Sequence, residues 1–162
     1  MKYDGEIHNL VTAYPSYIDE NICDDFYRRE HAVLDAIKQV QHFFPQKEVR
    51  ETLHSIYSSH HIALTYWKSQ IEKDGRSPQK EGEFLGLVIE AVIGGAKILG
   101  PEMALRALIK GEELLLEFYK ENLKSDSKLA VDFRDKIRDN FLPEQRFHIS
   151  KLKEILENHY NE

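Results

Sequence analysis

A single cysteine, Cys23, excludes an internal disulfide and a structural zinc cluster built on cysteines. Proline and glycine are also scarce, 5 and 8 residues of 162, so long helices can run with few interior breaks. No apolar run reaches the roughly 20 residues that a membrane-spanning helix needs. The first ten residues, MKYDGEIHNL, place acids where a secretion signal needs a basic and then an apolar stretch. A cytoplasmic location is the expectation. Lys and Arg are scattered and the formal charge is −6, which argues against nucleic-acid and anionic-membrane partners. Gly94-Gly95 is not followed by the Lys-Ser/Thr of a phosphate loop, and no nucleophile–base arrangement is visible. The composition leaves homo-oligomerisation and a protein partner open.

What the chain does have is apolar residues at helical spacing. Residues 1–15 read as an N-terminal arm and 16–160 as one all-α domain. The first long helix is expected from Ser16 to Phe44, with Cys23, Phe26, Val33, Ile37, Val40 and Phe44 inward and Pro45 ending it. The second runs from Gln46 to Lys73 on Val49, Leu53, Ile56, Leu64, Trp67 and Ile71, and Asp74-Gly75 stops it. Residues 83–98 are apolar nearly all round and read as an extra helix in a long connection, with a buried strand as the alternative. Pro101 suits the first turn of the third long helix, whose clearest stretch is Ala104 to Leu123. Asp126 or Ser127 is the expected cap of the fourth, which carries Val131, Ile137, Phe141, Leu152 and Ile155 to about Tyr160, with a kink at Pro143. Two short-turn hairpins joined by a long crossover make a four-helix bundle.

Each stripe contains one residue that is out of place. Glu112 lies seven residues after Leu105 and seven before Tyr119, so a carboxylate shares a face with both. The same spacing puts Glu30 between Cys23 and Ile37, His60 between Leu53 and Trp67, and His148 between Phe141 and Ile155. His31 and His61 fail this test. A buried ionisable group is costly unless it is paired, neutral or bound to a metal. Glu30 and His60 each stand fifteen residues from Pro45, so the first hairpin sets them at one depth. Glu112 and His148 are centred on Ala130, past the expected turn, and need a longer loop or the Pro143 kink to meet. Two His and two Glu suit Zn, Fe or Mn. A hydrogen-bonded network with no metal is the alternative.

The helix order, the long crossover, Gly111-Glu112-Glu113 followed by Tyr119, and His60 followed by Ile71 and Gly75-Arg76-Ser77-Pro78 resemble the ferritin-like superfamily. The resemblance is to its small bacterial four-helix-bundle proteins of unknown function. It implies one Glu from each of the first and third helices and Glu-x-x-His from the second and fourth. Glu30, His60, Glu112 and His148 match four of these positions; Tyr57 and Gln145 occupy the two bridging ones, with Glu144 a nearby substitute. Three functions follow as expectations. The first is a metal-binding protein with a mononuclear or degenerate site. The second is a di-iron oxidase or oxygenase using Glu144, and the third a metal-free helical binding or scaffold module.

Overall fold

Pro45 and Asp74-Gly75 bracket the second long helix, as the sequence indicates. A computed structural model describes residues 16–79, 100–124 and 129–160. Every regular element among them is helical: α1 (Ser16–Val40), a 3-10 turn (Gln41–Phe43), α2 (Lys47–Lys73), α3 (Pro101–Glu121), α4 (Val131–Lys136), a π-helical turn (Ile137–Phe141) and α5 (Leu142–Tyr160). The arm at 1–15 and the crossover helix at 83–98 lie outside the described residues. No described helix is long and apolar enough to cross a membrane.

Local chemistry explains the boundaries. Phe44 is extended, the conformation a residue before proline prefers, so α1 and its 3-10 turn cannot continue. Gly75 closes α2 at φ +72°, a left-handed value that a side chain would resist. Its N–H reaches the Glu72 carbonyl at 3.0 Å, and the Arg76 N–H reaches Ile71 at 3.3 Å. Pro101 occupies the first turn of α3, where no N–H is needed.

The fourth long helix departs from expectation at its start. It begins at Val131 behind Ala130, with no side-chain cap, and the anticipated caps Asp126 and Ser127 lie outside the described residues. Val131 is 70% exposed rather than part of the stripe; as the first helical residue it precedes the packed face, and Leu129 takes the buried place. Pro143 sits just after the π-helical turn, whose wider ring brings the Leu142 N–H to the Ile137 carbonyl. That turn gives the chain a local alternative to the regular ladder where a proline interrupts it.

One core lies between the four long helices. α1 packs on α2 and α3 on α5, and the pairs meet through α1–α3 and, least extensively, α2–α5. At its centre Phe26 stacks on Trp67, ring centroids 4.3 Å apart, and Tyr119 stacks on the same Phe26 at 5.0 Å. Trp67 is fully buried and Phe141 nearly so, both as core residues. Leu64 and Leu116 are only partly buried and pack against the edge of this core.

Candidate metal centre

The four ionisable residues on the apolar stripes meet in the core. Glu30 from α1, His60 from α2, Glu112 from α3 and His148 from α5 are all buried, at 3% exposure or less. Two side-chain bonds fix the level of the second hairpin. The Arg134 guanidinium donates to the Leu123 carbonyl at 3.1 Å, and Gln145 donates to the Glu112 carbonyl at 3.0 Å. Eleven residues separate Leu123 from Glu112, and eleven separate Arg134 from Gln145. The two helices are therefore in antiparallel register.

His60 is the hub. Its Nδ1 lies 2.6 Å from Glu30 Oε2, and its Nε2 lies 3.0 and 3.2 Å from the two Glu112 oxygens. A neutral imidazole has one N–H, so two ionised partners favour the doubly protonated ring. Burial alone would lower the His60 pKa, but the Glu112 and Glu30 charges and hydrogen bonds outweigh it and raise it to about 10. Burial alone would raise Glu112; the adjacent His60 and His148 rings instead bring it down to about 2. Glu30 takes a second bond, from the Tyr119 hydroxyl. Burial and then the Glu30 charge hold that phenol well above its ordinary range, so it stays a donor. Trp67 Nε1 follows at 3.5 Å from the Tyr119 oxygen.

His148 is different. Its Nδ1 is 3.6 Å from Glu112 Oε2 and its Nε2 is 3.8 Å from Glu144 Oε2, both beyond hydrogen-bond length. Both ring nitrogens are buried without a hydrogen-bond partner. A buried polar group left in this way costs about 1–3 kcal/mol.

His60, Glu112 and His148 could hold a metal ion: one ligand atom from each lies within 4.8 Å of the others. Around a tetrahedral ion with bonds of about 2.0–2.2 Å, ligand atoms stand roughly 3.4 Å apart. The side chains would thus close in by up to about 1.4 Å. Glu30 is not among these three. It holds His60 from behind, the place of a carboxylate that orients a ligating imidazole.

Two neighbours complete the geometry. Glu144, expected as a substitute bridge, has a side chain 59% exposed and accepts a bond from Ser59 at 3.3 Å. Gln145, read from the sequence only as a mismatch, is buried and donates to the Glu112 carboxylate as well as to its carbonyl. Its signal was present: Phe141, Gln145, His148 and Leu152 follow one another at steps of four, three and four, one face of a helix. Beside these residues lies a cavity of about 10 Å³, lined by Glu30, Ser59, His60, Ala63, Phe141, Glu144, Gln145 and His148. That is about the space one water-sized sphere requires.

No protein-family model, curated protein or solved structure matches this chain.

Proposed function

We propose that the chain is a ferritin-like helical bundle whose function is to hold one divalent metal ion, Zn, Fe or Mn, through His60, Glu112 and His148. The observation that carries this reading is His148, buried among ionisable partners with neither ring nitrogen satisfied. A cation at this point would take one of those two nitrogens. The four-helix order and one inward group from each long helix support the ferritin-like part.

A mononuclear site is preferred to a di-iron oxidase or oxygenase site. The latter needs a carboxylate three residues before each His. Tyr57 and Gln145 stand there, and Gln145 is already committed to Glu112. In the mononuclear reading Glu30 orients His60, Gln145 fixes Glu112, and the cavity beside Ser59 and Phe141 leaves a position open. A bound ion there would supply Lewis-acid or, if iron, redox character to a ligand in that position.

The test is metal content of freshly purified protein carrying no His-tag, followed by thermal melting with chelator and with Zn, Mn or Fe(II). An ion that binds only the folded state adds about 2.7 kcal/mol at a hundredfold excess over Kd. A rise in Tm in wild type that vanishes in Glu112→Gln supports the site. No metal response in wild type, with Glu112→Gln equally or more stable, overturns it and leaves the metal-free module.

A further inference from the structure

We propose that the pocket outside the metal centre, between α2 and the α4–α5 helix, is a binding site for a small organic monocarboxylate. The inference rests on the metal reading only for what the ligand's inner end faces. A cavity of about 390 Å³ is lined there by Ser55, Ser58, Ile62, Lys136, Asn140 and Phe141, together with Ser59 and Glu144. This volume is at the small end of the range for ligand sites. Ser59, Phe141 and Glu144 also line the inner cavity against His60 and His148, so the two spaces share a wall.

That wall is the weakest part of the enclosure. It lies at the α2–α5 seam, the least extensively packed of the four. Its polar crossing is the Ser59 hydroxyl bond to Glu144 Oε2, long at 3.3 Å and solvent-exposed. The same Glu144 oxygen lies 3.8 Å from His148 Nε2. Rotation of one exposed side chain would connect the outer pocket with the buried histidine.

Charge sets the ligand class and its direction. Lys136 holds its ammonium 5.4 Å from the Tyr66 ring centroid and 5.5 Å from that of Phe141. Among the described residues no acid forms an ion pair with it, so this cation is available to an anion. Asn140 adds an amide on the same wall. Glu144 stands at the inner end and repels a carboxylate, turning it outward to Lys136. Ile62, 67% exposed, and Phe141 offer an apolar surface for the body between. A ligand with one carboxylate and a neutral, apolar remainder fits this order.

The probes are benzoate and its neutral isostere benzamide, titrated into the full chain by NMR with Zn and, separately, with chelator. Benzoate should bind about fivefold more tightly than benzamide, the scale of one partly exposed ion pair. Shifts should centre on Ile62, Asn140 and Phe141. Lys136→Met should abolish the preference, and Ile62→Trp, which fills the pocket from an exposed position, should abolish both. Should Ile62→Trp fail to fold, Lys136→Met still decides. Equal binding of the two probes, no binding, or a preference untouched by Lys136→Met overturns the proposal. Zn retention is measured on the same samples. Zn bound without a benzoate preference overturns the pocket alone; a preference without Zn binding overturns the metal reading and leaves the pocket.

Discussion

Gln145 Nε2 donates to the Glu112 backbone carbonyl at 3.0 Å and to the carboxylate of the same residue. One amide thus ties α5 to α3 and sets the direction of the buried carboxylate. Gln145→Glu should reverse the effect of that amide, because two carboxylates would then face each other in the core. Metal-free stability should fall by about 1–3 kcal/mol, the cost of leaving a buried partner unsatisfied. The gain in Tm on adding Zn should exceed that of wild type, since the ion now neutralises two facing acids. Paired melts with chelator and with Zn check both signs.

Glu30 accepts from His60 Nδ1 at 2.6 Å while Nε2 faces Glu112. Glu30→Gln keeps the shape and removes the charge behind the imidazole. Changes to such a supporting carboxylate weaken metal binding by about 10–100-fold. Chelator-competition titration should show a fall of that size, and helix content by circular dichroism should be unchanged. An unchanged affinity would remove Glu30 from the site.

The candidate site was legible because each of its four residues interrupts an apolar stripe, where neither solvent nor chance composition explains a charge. Glu144 misled for a related reason. It is one position from Gln145, and one step on a helix turns a side chain by about 100°, from the core to solvent. Sequence spacing also could not show that Glu30 pairs with His60 Nδ1, outside the group formed by His60, Glu112 and His148, because side-chain reach decides that. The same limit applied to the start of the last helix. Asp126 and Ser127 are good cap residues, yet the helix starts at Val131 behind Ala130.

Trp67 is fully buried, stacked on Phe26 and next to the Tyr119 hydroxyl. Trp67→Ala should cost about 3–5 kcal/mol, the range for a large buried aromatic. Phe141→Ala should fall in the same range, with the added effect of enlarging both cavities that it lines. Trp67→Phe should lose less, because a ring remains to stack on Phe26. Denaturant unfolding with chelator present measures all three; a loss below about 1 kcal/mol for Trp67→Ala would contradict its central place.

The metal-free site should have its own pH window. His60 is raised from 6.5 to about 10, so its stabilising contribution is full below 6.5 and is lost as pH climbs through about 10. Glu112 is lowered from 4.5 to about 2, so its contribution is full above 4.5 and is lost as pH falls through about 2. Both are complete together between 4.5 and 6.5. Unfolding free energy of chelator-treated protein should decline on either side of that window. In Glu112→Gln the acid-side decline should be smaller.

A metal ion must compete with this proton. At neutral pH the metal-free His60 carries a proton on Nε2, the nitrogen facing Glu112, and a second on Nδ1 facing Glu30. Coordination uses the Nε2 lone pair and leaves the Nδ1 proton on Glu30's side. Each ion bound should therefore release about one proton near pH 7, the expected behaviour when a ligand must deprotonate. Calorimetric titration of Zn in buffers of different ionisation enthalpy measures that number directly. Affinity should rise about tenfold per pH unit over the range where one proton is released. In His60→Ala the proton release should disappear, whereas an ion bound by surface acids would release none in either protein.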